Sequence, residues 1–316
     1  MLTVQKFGGS SVAGAEAAER VAVLITKAHE VGDVVAVLSA AGNTSDILTK
    51  KAGSIAEKPC SRELDALLST GELESVSLMA MRLHAMGTDC VSLSGRQAGI
   101  LTDRVHGDAR IIDINTARIR TELKRGRVVI VAGFQGIDDN DDITTLGRGG
   151  SDTTAAALAA ALGADRCEIY TDVDGIYTAD PRLVKSAKKL DAIDFRDMLL
   201  LARNGSQVLH PRSVETAMNA GTDIVLRSSI VPVPGTVVTQ LADRPEFCGV
   251  TRDKNAGTVS LVGRGVNSGT AGELAEKLRL HGIAAQPVQS SGGICTLKVS
   301  PDDTLDALRL IHLAVF

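Results

Sequence analysis

The sequence predicts an α/β protein with an open, mainly parallel sheet sandwiched by helices, followed by a small α+β domain. Three observations lead to this fold class. Apolar runs rich in β-branched residues alternate with longer helical patterns, these runs are continuously apolar, and the pattern breaks at 232–235 (PVPG) and restarts on a smaller scale. The 316 residues exceed one ordinary core, so we predict a large domain at 1–240 and a small one at 241–316.

The elements of the first domain follow from its apolar runs. In chain order we expect a strand at 2–4, a helix at 13–29, a strand at 34–38, a helix to about 56, a strand at 128–132, a helix at 151–162 and a strand at 167–170, with an extended excursion at 99–112. Ligands of such sheets bind beyond the carboxyl ends of the strands. The loops that follow the strands therefore carry the functional predictions.

The second domain shows shorter elements of both kinds. In chain order we expect a strand at 258–262, a helix at 269–281, strands at 283–289 and 294–299 and a helix at 304–312. This β-α-β-β-α order describes a small sandwich that lacks a final strand.

Composition argues against several classes of function. A net charge of -4 and an aromatic content of 2% provide neither a basic surface nor stacking platforms, so no nucleic-acid partner is expected. No apolar run approaches the roughly 20 residues that span a bilayer, and the start of the chain lacks the basic-then-apolar order of a secretory signal. We therefore expect a cytoplasmic protein with no membrane partner. The five cysteines are far apart without a CxxC pair, which indicates neither a zinc site nor a disulfide framework.

Segment 6–11 (KFGGSS) joins the first strand to a helix and is suited to phosphate. Gly8 and Gly9 allow close approach of the backbone, the amides at the helix start point at an anion, and Lys6 adds a positive charge. An ordinary strand-to-helix turn would look similar, and both interpretations stay open from these residues alone.

Two further segments offer groups to a substrate. Segment 39–46 (SAAGNTSD) follows the second strand and presents hydroxyls and backbone amides, although helix capping would explain it equally well. Segment 69–72 (STGE) is predicted as a short turn in which Glu72 pairs with a substrate ammonium group, or else remains a capping or solvated acid.

Segment 145–154 (TLGRGGSDTT) opens the helix predicted at 151–162 and favours function over structure. Arg148 can grip a carboxylate or phosphate through two hydrogen bonds, while Gly149, Gly150 and the helix start supply anion-binding amides. A purely structural loop rarely needs three glycines, an arginine and a hydroxyl cluster together.

Segment 171–182 (TDVDGIYTADPR) follows the strand at 167–170 with repeated acids. Asp172 and Asp174 alternate in space, so one can orient a catalytic lysine or a metal-bound water while the other faces a nucleotide. Asp180 and Arg182 form a turn that could border an adenine or ribose. The alternative is a plain turn, and without a third nearby ligand we expect no protein-only metal site.

Taken together, these segments resemble the amino-acid kinase superfamily and, within it, the aspartate kinases. The resemblance covers residues 2 to about 240 and is most specific at 6–11, 145–153 and 170–182. It implies that the β-carboxylate of L-aspartate attacks the γ-phosphate of Mg-ATP, giving 4-phospho-L-aspartate and ADP, the first step toward lysine, threonine and methionine. ATP and Mg²⁺ are the implied cofactors, with Mg²⁺ held mostly by ATP oxygens and water.

The resemblance also implies roles for individual residues. Catalysis is assigned to Lys6, which contacts the phosphates in flight, and to Asp172, which organises this lysine. The implied ATP-binding residues are Lys6, Gly8, Gly9, Ser10, Thr171, Asp172, Asp174, Tyr177, Asp180, Arg182 and Gln207. The implied aspartate-binding residues are Ser39, Ser45, Glu72 on the amino group, Arg148 on the α-carboxylate, Gly149, Gly150 and Ser151. Ser45 stands where threonine is usual, and Gln207 where lysine is common, which predicts a lower rate with activity retained.

The tail resembles an ACT domain, a small module that senses amino acids. Segments 259–263 (VSLVG) and 307–312 (ALRLIH) look like the second of the two that aspartate kinases carry, and 247–254 like a remnant of the first. Lysine or threonine usually binds where two such modules pair, so weak or absent feedback inhibition is expected. The favoured alternative is a plain dimer contact with the same module of a second chain, so we expect a homodimer.

Two rival interpretations remain. A sister kinase could act on glutamate, N-acetylglutamate, carbamate or UMP, although an acid such as Glu72 suits a free amino group. A catalytically silent amino-acid sensor could keep the fold, although Lys6, Arg148 and Asp172 argue against it.

Overall fold

The computed structural model describes residues 1–316, and their contacts divide the chain into two compact units. The first unit comprises Met1–Asp174 and Arg212–Pro234, and the second comprises Gly175–Pro211 and Gly235–Phe316. These units group residues by contact and are not continuous along the chain. The domain boundary at about 240 therefore stays a prediction.

Sixteen strands and nine α-helices make up the chain. The strands are β1 (Leu2–Phe7), β2 (Asp33–Leu38), β3 (Cys90–Leu93), β4 (Ile100–Thr102), β5 (Ile111–Ile114), β6 (Val128–Ala132), β7 (Gln135–Ile137), β8 (Ile143–Thr145), β9 (Arg166–Thr171), β10 (Ala192–Asp194), β11 (Ile224–Ser228), β12 (Thr236–Thr239), β13 (Gly249–Asp253), β14 (Thr258–Val262), β15 (Gln286–Ser291) and β16 (Ile294–Lys298). The helices are α1 (Ala15–His29), α2 (Thr44–Ile55), α3 (Ser61–Ala85), α4 (Ala117–Lys124), α5 (Gly150–Leu162), α6 (Phe195–Arg203), α7 (Pro211–Ala220), α8 (Thr270–Leu280) and α9 (Thr304–Val315).

The main sheet of the first unit is parallel, as the continuous apolar runs predict. Its strands follow the order β11-β9-β1-β2-β6-β3, and every neighbouring pair is parallel. Side chains alternate between the two faces of a strand. Val34, Ala36 and Leu38 of β2 pack in one core with α1 and α3, whereas Val37 lies close to Ser151 of α5. Helices therefore cover both faces, and the predicted α/β class is confirmed.

The predicted excursion at 99–112 belongs to a second, smaller sheet of the first unit. Its order is β5-β4-β7-β8, with one parallel pair between two antiparallel ones. Strand β8 ends at Thr145, so this sheet delivers the chain to the loop that precedes α5.

The second unit contains the parallel pair β10–β12 and an antiparallel sheet of order β13-β14-β16-β15. The tail sheet has four strands because β13, part of the segment that resembles a remnant of the first ACT module, pairs along β14. The expected gap is thus filled from the N-terminal side of the module. Strand β15 begins at Gln286, three residues later than the predicted strand.

Residues 175–184, which follow β9, pack against the small module at 241–316 (the tail module). This packing explains why both belong to the second unit. Ala179 and Val184 belong to the same apolar core as α8 and α9. The Thr178 hydroxyl lies 2.8 Å from Nε2 of buried His312, and the Thr178 carbonyl accepts a hydrogen bond from the Val250 amide at 2.7 Å. None of the helices combines the length and apolar character needed to cross a membrane.

Candidate active site

A cavity of about 290 Å³ opens where β1, β2 and β6 of the first unit end. Ten of the predicted site residues line it, namely Lys6, Gly8, Gly9, Ser39, Ser45, Glu72, Arg148, Gly149, Gly150 and Ser151. Phe134, Gly147 and Asp152 complete the lining. The loops after β1, β2 and β6 meet here because the carboxyl ends of parallel strands lie at one edge of the sheet. Helix α3 and the loop between β8 and α5 contribute the rest of the lining.

Lys6 is held by an acid that sequence reasoning overlooked. Its Nζ lies 2.6 Å from Oδ1 of Asp152, and both side chains are largely buried, with 12% and 14% exposure. Asp152 occupies the first turn of α5, where the helix dipole stabilises an anion. Asp172 was expected in this role, but its carboxylate instead accepts a hydrogen bond from the Thr171 hydroxyl at 2.9 Å. The position of Asp152 at a helix start was the one available signal.

The glycines after β1 make room for a ligand by packing tightly against the loop after β2. A Cβ atom at Gly9 would lie 2.6 Å from the carbonyl oxygen of Ala40, so only glycine fits without a shift of the backbone. A Cβ atom at Gly8 would lie 3.4 Å from Nζ of Lys6. Gly9 also begins a short 3-10 helix, in which Ser10 is exposed and does not line the cavity.

Glu72 lies in the middle of α3, so the prediction of a turn at 69–72 was wrong. The helix continues through Gly71, where glycine allows close packing, because a Cβ atom there would lie 3.0 Å from the side chain of Ala40 and 3.1 Å from that of Thr44. The buried Ser69 and Gly71 thus reflect close packing and not a turn, while Thr70 is exposed and its hydroxyl donates to the Leu67 carbonyl of the same helix at 2.7 Å.

The Glu72 carboxylate is buried, with 3% exposure, and only partly hydrogen-bonded. Its Oε1 accepts a hydrogen bond from the Ala40 amide at 3.2 Å, while buried Oε2 has no hydrogen-bond partner. Burial raises the pKa of Glu72 from 4.5 to about 7, despite the opposing effect of the Ala40 amide. An unsatisfied acid at a cavity wall is suited to receive a cationic group.

Arg148 stands at the tip of a tight turn. Gly147 and Gly149 both have φ of 71°, in the left-handed region that favours glycine, and the Gly150 amide closes the turn on the Gly147 carbonyl at 3.0 Å. The Arg148 side chain is exposed and forms no ion pair. The guanidinium and the amides of Ser151 and Asp152 in the first turn of α5 therefore remain available to an anion.

The other predicted residues lie outside the cavity lining. Thr171 ends β9, and Asp172 and Asp174 follow this strand, which neighbours β1 in the sheet. Tyr177, Asp180, Arg182 and exposed Gln207 belong to the second unit, where Arg182 donates to both carboxylate oxygens of Asp180 and lowers the pKa of that acid. Their contact with a nucleotide stays a prediction.

No group of three or more His, Cys, Asp or Glu side chains has an arrangement that could hold a metal ion. The close-packed glycines and the Lys6 ammonium fit a polyphosphate, which would bring its own coordinated metal.

Comparison with known proteins agrees with this geometry. The model of the amino acid kinase family matches residues 1–228. The chain belongs to the amino acid kinase family. Within the family, the chain is similar to the aspartokinase of Mycobacterium tuberculosis (strain ATCC 25618 / H37Rv), with 50% identity over 269 residues that cover 83% of this chain and 64% of the relative. It is 52% identical to the aspartokinase of Geobacillus stearothermophilus over 240 residues, which cover 76% of this chain and 59% of the relative.

These curated relatives are longer than this chain, which spans 64% and 59% of their lengths. Among solved structures, E. coli aspartokinase III in complex with aspartate and ADP superimposes with a TM-score of 0.85 over 100% of both chains. The two sequences share 22% identity, so this match shows the fold alone. Because it covers the whole chain, the similarity in fold includes residues 241–316.

Proposed function

We propose that this amino acid kinase family member is an aspartate kinase, which transfers the γ-phosphoryl group of ATP to the β-carboxylate of L-aspartate. One observation carries the proposal: a single cavity holds a buried, partly unsatisfied acid (Glu72), an available guanidinium (Arg148) and an ammonium group beside a glycine cradle (Lys6). Free aspartate presents the complementary groups, and the relatives with about 50% identity are named aspartokinases.

The amino acid is held at its α-carbon by two opposite charges. Glu72 pairs with the α-ammonium group and Arg148 with the α-carboxylate, through the bidentate geometry that guanidinium and carboxylate share. Ser39, Ser45 and the backbone at Gly149–Ser151 complete the contacts. The β-carboxylate is then free to face Lys6, because the α-carbon is fixed at its other two substituents.

The phosphates lie against Lys6, Gly8, Gly9 and Ser10. The remaining ATP contacts come from Thr171, Asp172, Asp174, Tyr177, Asp180, Arg182 and Gln207, as the resemblance implies. Mg²⁺ bound to the phosphate oxygens would neutralise part of their charge. The chain itself contributes the Lys6 ammonium, which the ion pair with Asp152 holds beside the cavity.

The transfer needs no general base. A carboxylate oxygen of aspartate forms the new P–O bond while the bond to the bridging oxygen breaks, and ADP leaves with the electron pair. Charge moves onto the leaving oxygen, and no proton is transferred. Catalysis then rests on alignment and on neutralising charge, which fits a site built from Lys6, backbone amides and Arg148.

Support for this substrate comes from the requirement for an acid. N-acetylglutamate, carbamate and UMP carry no free α-ammonium group, so they would leave Glu72 unpaired in a buried position. In E. coli aspartokinase III the bound molecules are aspartate and ADP. A silent sensor would not need the Lys6–Asp152 ion pair beside the glycine cradle.

The wider setting belongs to the same proposal. The enzyme would act in the cytoplasm, at the start of lysine, threonine and methionine synthesis, as a homodimer joined through the tail module. Feedback inhibition would be weak, as the resemblance of 247–254 to a remnant of the first ACT module implies. Inhibition by millimolar lysine or threonine would contradict that last point.

A hydroxamate assay tests the proposal. Acyl phosphate formed from ATP is trapped with hydroxylamine in reactions with L-aspartate, L-glutamate and N-acetylglutamate. We expect product with L-aspartate alone, and its loss in Lys6→Ala but not in Lys51→Ala, a change on the surface of α2. Product with another substrate would identify a sister kinase, and no product with any of them would support the sensor.

A further inference from the structure

A buried acid outside the cavity holds together the loops that frame it. Asp65 lies on α3 with 1% exposure. Its Oδ2 accepts hydrogen bonds from the amides of Gly107 and Thr145, both at 3.0 Å, and lies 3.0 Å from Nδ1 of His106. Its Oδ1 accepts a hydrogen bond from the Thr145 hydroxyl at 2.5 Å. The carboxylate is thus fully used within the protein and does not line the cavity.

Thr145 is the base of the turn that carries Arg148. It ends β8, and the next amide, that of Leu146, donates to the carbonyl of Phe134 at 2.8 Å. Between this base and the start of α5 lie buried Leu146, whose carbonyl also accepts a hydrogen bond from Arg212 at 2.9 Å, and the glycine turn with Arg148 at its tip. The position of the guanidinium therefore depends on where Thr145 is held.

Helix α3 also carries Glu72, seven residues after Asp65. Seven residues of α-helix correspond to about 10.5 Å and nearly two turns, so both acids point to the same side of one rigid rod. One acid enters the cavity, and the other anchors the loop on its far wall. The helix thereby sets the separation between Glu72 and Arg148.

We infer that Asp65 is a positioning residue for recognition of the substrate α-carboxylate, acting through Thr145 on Arg148. This inference rests on the proposed function for the identity of the substrate, while the anchoring itself does not. A carboxylate suits this position because the amides of Gly107 and Thr145 and the Thr145 hydroxyl all donate to it. An asparagine would turn one acceptor into a donor, which faces either the Thr145 hydroxyl or the amides of Gly107 and Thr145.

The kinetic test is a double-mutant cycle of Asp65→Asn and Arg148→Ala. We expect Asp65→Asn to raise the KM for L-aspartate at least tenfold, with kcat and the KM for ATP changed less than threefold. In the Arg148→Ala background the same change should have little further effect, because the group it positions is absent. The inference would be overturned in favour of a merely structural role if the effects of the two substitutions on the KM for L-aspartate multiply. It would also be overturned if Asp65→Asn lowers kcat and raises both KM values by similar factors.

The selectivity between L-aspartate and its α-amide provides an independent test. L-aspartic acid α-amide lacks the charge that Arg148 recognises, so the preference for L-aspartate over this analogue should shrink in Asp65→Asn. If Asp65→Asn does not fold, the pair Thr145→Val and Thr145→Ser replaces it. Serine keeps the hydroxyl donor and should match the wild type, whereas valine should raise the KM for L-aspartate; equal behaviour of the two would refute the role.

Hydrogen–deuterium exchange separates this inference from the proposed function. In Asp65→Asn the amides of segment 145–150 should exchange faster, whatever the substrate of the enzyme. Glu74→Gln, an acid-to-amide change at an exposed position of the same helix, is the matched control and should leave this segment unchanged. Unchanged exchange in Asp65→Asn would refute the anchoring even if L-aspartate proves to be the substrate.

Discussion

Compared with the wild type, the ligand-free Glu72→Gln variant should become more stable as the pH rises. The same change should weaken the binding of L-aspartate. The wild-type carboxyl is buried and its pKa is raised from 4.5 to about 7. A raised pKa means that the folded state binds the proton more tightly than the unfolded state. The stability from this group is therefore present below pH 4.5 and is lost as the pH rises through about 7.

The magnitude follows from the difference between the two pKa values. At 1.36 kcal/mol per pKa unit, the 2.5 units between 4.5 and about 7 correspond to about 3 kcal/mol. Glutamine has a similar shape and does not titrate. The free energy of unfolding of Glu72→Gln, relative to the wild type, should thus increase by about 3 kcal/mol between pH 4.5 and pH 8. Any fixed cost of the new amide cancels in this comparison.

Urea unfolding followed by circular dichroism at the two pH values measures this difference, with Glu74→Gln as the exposed control on the same helix. A difference between Glu72→Gln and the wild type that does not change with pH would refute the reasoning, since it would mean that the acid is already charged and solvated in the free protein.

Substrate binding should reveal the same proton. Near pH 6.5 about three quarters of the wild-type molecules should carry a proton on Glu72, given a pKa of about 7. An ammonium group that pairs with the carboxylate would expel it. Calorimetry of L-aspartate binding in buffers of different ionisation enthalpy should detect about 0.75 proton released per molecule bound, and none in Glu72→Gln.

The remaining predictions concern the ion pair, the glycines and the tail module. Asp152→Asn should lower kcat roughly 100-fold with little change in the circular dichroism spectrum, because Lys6 loses the charge that directs it; an unchanged kcat would rule out this role. Gly9→Ala should cost about 2 kcal/mol of stability because its Cβ atom would lie 2.6 Å from a backbone oxygen, whereas Gly53→Ala, in open space on α2, should add about 0.5–1 kcal/mol, and thermal denaturation should show these opposite signs. Burial and a nearby lysine lower the pKa of His312, so its contribution to stability is present above pH 6.5 and is lost as the pH falls; the pH dependence of unfolding should weaken below pH 6.5 in His312→Gln, and an identical dependence would contradict this.

Much of the site could be predicted from the sequence because its residues lie where parallel strands end. The alternation of apolar runs and helices predicts that such loops share one edge of the sheet. Lys6, near the end of β1, and Ser39, just after β2, could therefore be assigned to one site, and they do line one cavity. Arg148 joins them from the loop after the antiparallel strand β8, which its glycines and hydroxyls marked as functional.

Which acid pairs with Lys6 could not be predicted in this way. Asp172 and Asp152 both stand near the ends of elements, and sequence spacing gives no preference between them as the partner of Lys6. The packing of α5 against β1 brings Asp152 to the lysine, while Asp172 turns to Thr171.

The segment around Glu72 shows why local chemistry can mislead. Serine, threonine and glycine in succession favour a turn, but α3 runs through them because tertiary contacts outweigh local propensity. Gly71 is required by the approach of Ala40 and Thr44, which no local pattern records.

By itself, the sequence determined the fold class and most of the loops that form the site. The apolar periodicity, and the order in which strands and helices follow one another along the chain, can both be read from the sequence. Only the tertiary structure decided which acid holds Lys6, that Glu72 has an unsatisfied oxygen, and that Asp65 anchors the loop of Arg148. These features depend on distances of about 3 Å between residues far apart in the chain, and such distances arise only when the elements pack.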